Sequence, residues 1–290
     1  IIRMQESLKL DDGDAEKNLE KMEKARNIFL GMMPSQAKSA VDFKQVLLEP
    51  DKTGIASGFV GVDAMTGGML GGQLVVIGAR TGVGKSVYLM NVVGKVAESE
   101  KQILWLALEM SEREVLKRFV RMFQDSNGRE NVDSLDYIKT MDIMSGSKPL
   151  PQLEAECSKK HYDLVVVDYL QLLRTDRGYD TEVQELQEIT RRLKLLAMKQ
   201  NTIVLAAAQL NRESEKQSRM PKISDLRGSG SIEQDADVVI LLNRMLREEN
   251  ENDYSSKKKV DSVARVFAGK GDTDVTVDKN RNGNTGIVNM

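Results

Sequence analysis

The stretch Gly71-Gly-Gln-Leu-Val-Val-Ile-Gly-Ala-Arg-Thr-Gly-Val-Gly-Lys-Ser86 restricts this chain more than any other. Leu74 to Ile77 is an apolar, β-branched run with the length of a buried strand. A glycine-rich turn follows, and from Lys85 a helical pattern runs through Leu89, Val92, Val93 and Val96. Strand, glycine-rich turn and helix, in that order, are the setting of a phosphate-binding loop. Successive backbone N–H groups and the positive helix end face an anion there, provided no side chain blocks the approach. The loop comprises Ala79, Arg80, Thr81, Gly82, Val83, Gly84, Lys85 and Ser86. Gly82 and Gly84 leave the approach open, Lys85 reaches toward the β- and γ-phosphates, and the Ser86 hydroxyl suits Mg²⁺. The strict pattern carries glycine where Ala79 stands, with Gly78 just before it, and alanine does not tolerate positive φ. A glycine loop can simply turn a chain, but the Gly-Lys-Ser ending and its flanks point to a nucleoside-triphosphate site.

The 290 residues suffice for one large α/β domain with appendages or for two small domains. No apolar run approaches the roughly 18 residues of a membrane span, and no secretory signal is visible. One cysteine, Cys157, rules out an internal disulfide and fits a reducing cytoplasm. The lone histidine, His161, cannot build a metal cluster and reads as a surface residue before a strand. Net charge is −2, so nucleic-acid binding would have to come from a local patch. The chain opens on Ile1 rather than Met, which reads as a fragment lacking its beginning.

Residues 1–34 read as a helical remnant, with Leu19, Met22, Ala25, Phe29 and Met33 on one face. Residues 35–50 read as a linker helix carrying Val41, Val46, Leu47 and Leu48, and 51–290 as the main domain. In that domain, buried-type strands are expected at Ile103 to Leu108, Leu164 to Asp168, Ile203 to Ala208 and Val238 to Leu242, with a short one near Met141. Ser111 and Glu114 form a capping box before a helix carrying Val115, Leu116, Phe119 and Val120. A helix from Glu182 to about Lys199 turns Val183, Leu186, Ile189, Leu193 and Leu196 inward, and Arg227-Gly-Ser-Gly230 lies in a loop. Residues 245–260 are a charged excursion, and Val275 and Val277 alternate in a further strand. Strands separated by helices imply a mainly parallel sheet covered by helices on both faces.

In open parallel sheets, ligands sit at the carboxyl ends of the strands. Glu109, Asp168 and Gln209 each follow such a strand, on the edge the phosphate loop occupies. Asp168 suits a Mg²⁺ partner acting through water, Glu109 could polarise an attacking water, and Gln209 could sense a γ-phosphate. A single carboxylate closing a strand is usually a cap; three polar residues at three strand ends beside a phosphate loop form a constellation. Arg227 among glycine and serine suits a phosphate-contacting loop or a plain mobile one. Lys279 and Arg281 alternate, so their side chains point the same way, as on a solvated hairpin tip.

The chain resembles the C-terminal ATPase domain of DnaB-family replicative helicases, a RecA-like P-loop NTPase fold. The resemblance rests on Thr53 to Gly68, Ala79 to Ser86, Leu108-Glu-Met110, Val167-Asp-Tyr-Leu-Gln171, Gln209-Leu-Asn-Arg212, Ser224 to Asp237 and Lys279-Asn-Arg-Asn-Gly283, in the family's order. It implies a homo-hexameric ring that encircles single-stranded DNA and moves along it using ATP and Mg²⁺, 5′ to 3′. It assigns Lys85 and Ser86 to nucleotide and metal, Glu109 as catalytic carboxylate, Asp168 as second acid, and Gln209 as γ-phosphate sensor. It makes Arg227, Gly228, Ser229 and Gly230 the DNA-contacting loop, and Lys279 and Arg281 a basic pair reaching a neighbour's site. Primase or a helicase loader would bind through a missing N-terminal domain. This chain departs from the family at Thr81 and Gly82, where proline and serine are frequent, and at Gly228, where glutamate is. The rival expectation is a RecA-like recombinase, a module that uses ATP to switch DNA binding without unwinding.

Overall fold

Apolar runs closing on small or polar residues become strands in the computed structural model, which describes residues 54–122, 138–146, 150–211, 219–244 and 273–289. The chain divides into two units, Ile1–Asp51 and Lys52–Met290, and every element named below belongs to the second. The expected remnant, linker helix and excursion after residue 244 lie outside the described residues. The strands are β1 (Leu74–Ala79), β2 (Ile103–Ala107), β3 (Met141–Ser145), β4 (Leu164–Asp168), β5 (Ile203–Gln209), β6 (Val238–Arg244), β7 (Thr273–Asn280) and β8 (Gly286–Asn289). They form one 8-stranded sheet in the order β3-β2-β4-β5-β1-β6-β7-β8. Pairing is parallel from β3 to β6, and β7 and β8 add antiparallel at one side.

The helices are α1 (Val60–Thr66), α2 (Lys85–Ala97), α3 (Glu112–Met122), α4 (Leu150–Lys159), α5 (Glu182–Gln200) and α6 (Ser229–Asp235). Successive strand side chains point to opposite faces, and each face needs its own cover. Val75, Ile77 and Ala79 pack with Leu89 and Val93 of α2 and Phe119 of α3. Leu74 and Val76 pack on the other face with Leu153 of α4, Leu193 of α5 and Ile232 of α6. Both faces are therefore covered, as expected for buried parallel strands.

The helix ends follow their sequence signals. Glu114 accepts a hydrogen bond from Ser111 N at 2.9 Å, and Ser111 Oγ accepts from Glu114 N at 3.4 Å. Thr181 Oγ1 caps α5 by accepting from Gln184 N at 3.2 Å. Two expectations are corrected. Val183 is 64% exposed rather than inward, because it lies in the first turn of α5, where the helix borders a cleft. The segment after Gly228 is not loop but helix α6, held down by fully buried Ile232. Among the described residues, no helix is long and apolar enough to cross a membrane.

Candidate functional site

Parallel register brings the strand ends together. Ala79 pairs with Gln209, and Ala107 with Asp168, so β1, β2, β4 and β5 finish on one edge. The phosphate loop leaves β1 at that edge and enters α2, whose N-cap is Gly84 with φ 113°. Gly84 has no side chain to cap the helix, which leaves the first-turn N–H groups for an anion. Gly82 also has positive φ, 79°, and a Cβ there would meet nothing within 4 Å, so backbone conformation alone demands glycine. Ala79 continues β1 and is not among the residues of positive φ, which removes the conflict with the strict pattern. The tight position is Gly78, where a Cβ would meet the side chains of Leu226 and Leu241 at 2.6 Å. Lys85 Nζ curls over the loop, donating to Ala79 O at 2.9 Å and Arg80 O at 3.3 Å.

Asp168 is 3% exposed and hydrogen-bonded to the Ser86 side chain. Burial pushes its carboxyl above the ordinary range. The Ser86 hydrogen bond opposes that shift, the Glu109 charge adds to it, and Lys85 and Arg118 pull it down. A hydroxyl and a buried carboxylate short of positive charge fit Mg²⁺, which takes much of its shell from phosphates and water. Among the described residues, no cluster of three or more His, Cys, Asp or Glu competes for a metal. A carboxyl whose pKa is raised by folding favours the native state below its unfolded value, and that contribution is lost as pH rises through the folded value. At neutral pH the nucleotide-free domain therefore carries a penalty at Asp168. Asp168→Asn is expected to melt higher than wild type at pH 7 without nucleotide, by about 2–4 °C per kcal/mol relieved. The gap should close as pH falls below about 3.9, and the variant should lose stabilisation by Mg²⁺-nucleotide. A lower melting temperature at pH 7 would contradict the assignment of strain to this carboxylate.

Gln209 joins two parts of the site. Its Nε2 donates to Thr81 Oγ1 of the phosphate loop at 2.8 Å, and its carbonyl accepts from Arg227 N at 3.1 Å. Gln171 Oε1 accepts from Gln209 N at 3.3 Å. Tyr169 has its hydroxyl pKa raised by burial, then by Glu109 and Asp168, with Arg227 opposing. Tyr169, Gln171, Leu186, Gln209, Arg227 and Gly228 line a cavity of about 240 Å³. Arg227 is ion-paired with Glu182 at the start of α5. Gly228, with φ 76°, is the N-cap of α6, and a Cβ there would come within 2.3 Å of Leu186.

Lys279 and Arg281 lie elsewhere. Val238, which starts β6, pairs with Asn280, and β6 runs parallel to β1, so the pair sits at the edge opposite the phosphate loop. β1 is 6 residues long at about 3.3 Å each, putting the edges roughly 20 Å apart. Lys279 Nζ donates to Ala236 O at 2.6 Å and to Glu233 O, and Arg281 donates to Gln234 O and, at 3.1 Å, to Asp237 Oδ1. Both cations thus close the negative end of α6, where positive charge is favourable. Burial, and then the neighbouring Arg281, lower the Lys279 pKa. The pair does stand at the tip of the β7–β8 hairpin, as alternation implied, but it is docked on a helix terminus rather than free in solvent.

The family model for the "DnaB-like helicase C terminal domain" matches residues 54–290. The chain belongs to this family. It is 31% identical over 260 residues to "Replicative DNA helicase DnaB" of Leifsonia xyli subsp. xyli, covering 82% of this chain and 54% of that protein. It is 34% identical over 265 residues to the protein of the same name from Mycoplasma pneumoniae, covering 81% and 54%. The chain thus spans about half the length of these curated relatives. A solved structure, "The Structure Of A DnaB-Like Replicative Helicase And Its Interactions With Primase", superposes with a TM-score of 0.72 at 22% identity, covering 99% of this chain and 70% of that one. The sheet and its two helical layers are the RecA-like fold of DnaB-like helicase domains.

Within the DnaB-like frame, the structure gathers Ala79 to Ser86, Glu109, Asp168 and Gln209 at one edge and sets Arg227 to Gly230 beside them through Gln209. The sequence motifs assign no role to Arg118, Tyr169 or Gln171. Tyr169 and Gln171 stand in the Val167 to Gln171 segment that closes β4, which is a usable signal. Arg118 lies on the exposed side of α3, where nothing separates it from any other surface cation.

Proposed function

We propose that this DnaB-like domain is the ATP-hydrolysing motor of a ring-forming replicative helicase that moves along single-stranded DNA and separates duplex. The observation that carries the reading is Gln209, bonded through its side chain to the phosphate loop and through its backbone to Arg227. Nucleotide state and DNA contact would then share one residue. The backbone N–H groups of residues 82–86 and the Lys85 ammonium would bind the ATP phosphates. Glu109 would orient and deprotonate the water attacking the γ-phosphate in line, with Gln209 against the departing phosphate. Ser86 and Asp168 would hold Mg²⁺, which supplies positive charge to the phosphate oxygens when bound. Arg227 to Gly230 would contact strand phosphates, and Lys279 and Arg281 would serve the site of an adjacent subunit in a hexamer. Cytoplasmic replication is the setting this activity implies, with primase or a loader binding outside the described residues.

The recombinase-like alternative shares the fold and the site, and differs in output. Native mass with nucleotide, paired with displacement of a strand from a forked duplex, separates them: ATP-dependent displacement is expected, and filament assembly without displacement would overturn the helicase reading. Arg227→Ala is expected to lower the DNA-stimulated hydrolysis rate relative to the DNA-free rate. DNA affinity should fall steeply with salt and depend little on base sequence. Equal loss of stimulated and DNA-free rates would remove Arg227 from the DNA contact.

A further inference from the structure

We infer that Asp237 is a positioning residue that aims Arg281 from one subunit toward the nucleotide site of the next. The inference rests on the reading of Arg281 as acting in a neighbour's site. Asp237 is buried where α6 gives way to β6, at the sheet edge away from the phosphate loop. Its Oδ1 accepts from Arg281 Nη1 at 3.1 Å, while its Oδ2 accepts from Lys194 Nζ at 2.6 Å and Leu74 N at 2.8 Å. The backbone repeats the connection: Arg281 N donates to Asp237 O and Asp237 N donates to Leu74 O, both at 2.9 Å.

These bonds do two things. They settle a buried carboxylate between two cations and an N–H, without which its desolvation would go uncompensated. They also fix one side of the Arg281 guanidinium, with Gln234 O taking another N–H. The arginine side chain remains 43% exposed, so the rest of its five-donor fork is open to a neighbour. Leu74 begins the strand that ends in the phosphate loop, so a subunit's own β1 is joined through one carboxylate to the cation it offers away. A long exposed side chain would otherwise surrender rotamer freedom at every engagement.

Asp237→Asn keeps the shape and an oxygen for Leu74 N but removes the charge that holds Arg281. The kcat for ATP is expected to fall about 10²-fold, the cost of a misplaced reacting group, with KM for nucleotide unchanged. Mixed oligomers give the direction of the defect. Asp237→Asn subunits should regain hydrolysis when mixed with Lys85→Ala subunits, which supply intact arginines to intact phosphate loops. They should regain none with Arg281→Ala subunits, which share the fault. A structural role confined to β1 predicts the reverse, rescue by Arg281→Ala and not by Lys85→Ala, and that result would overturn the inference. So would full kcat in Asp237→Asn while Arg281→Ala is inactive. Full activity in Arg281→Ala itself would instead sink the underlying trans reading. Should Asp237→Asn not fold, Lys194→Met/Asp237→Asn leaves no unpaired buried charge at that point and carries the same measurements.

Discussion

Glu109→Gln is expected to bind ATP as tightly as the wild-type domain and to hydrolyse it about 10²–10⁴-fold more slowly. Glu109 is exposed on the loop beyond β2, at the edge where the phosphate loop and Asp168 meet. It is close enough for its charge to raise the Asp168 pKa. An amide at this position can still accept a hydrogen bond from a water but cannot take its proton. It also relieves the repulsion on Asp168, so the nucleotide-free variant should melt slightly higher at neutral pH. Lys85→Ala makes the contrast, because removing the cation over the loop should weaken nucleotide binding and hydrolysis together. Equilibrium binding of a fluorescent ATP analogue and release of phosphate measure the two effects separately. Turnover near the wild-type rate in Glu109→Gln would move the catalytic base elsewhere, with no bearing on the phosphate loop.

The parallel sheet and the polar residues at its edge were legible because each strand is an unbroken apolar run and its terminating residue has to emerge at the carboxyl end. Leu164 to Asp168 has the same bounds in the structure as in the apolar pattern. The Ala79 question was not answerable from the motif, since the glycine constraint falls on Gly78 through Leu226 and Leu241, residues far along the chain. Helix α6 was hidden by its opening Gly-Ser-Gly, which lowers helix propensity; burial of Ile232 in the core and packing of the helix on α5 outweigh it. Val183 follows helical period yet faces solvent, because periodicity gives a stripe and not where its packing partner ends. The shared direction of Lys279 and Arg281 could be read from alternation. Their docking on the carbonyls of Glu233, Gln234 and Ala236 depends on a long-range return of β7 beside β6 that no local pattern encodes.

Arg281→Ala is expected to assemble and bind ATP as the wild type does, while its hydrolysis falls about 10³–10⁵-fold, the range for loss of an arginine that meets charge on the transferring phosphoryl. The reason is geometric. Within one subunit, Arg281 lies across the full length of β1 from the phosphate loop, a span no arginine side chain crosses. Its guanidinium is also held at that far edge by Asp237 and Gln234 O. A contribution to hydrolysis therefore requires a second copy that sets this edge against the first copy's loop. Two consequences can be measured. Specific ATPase activity should fall when the protein is diluted below its assembly concentration, at saturating nucleotide. Arg281→Ala and Lys85→Ala subunits, each inactive alone, should recover part of the activity when exchanged, since some boundaries then pair an intact loop with an intact arginine. An isolated monomer that hydrolyses ATP at the full rate would sink the trans arrangement. A ring of Arg281→Ala with undiminished kcat would leave the docked pair with a purely structural task, closing the C-terminus of α6.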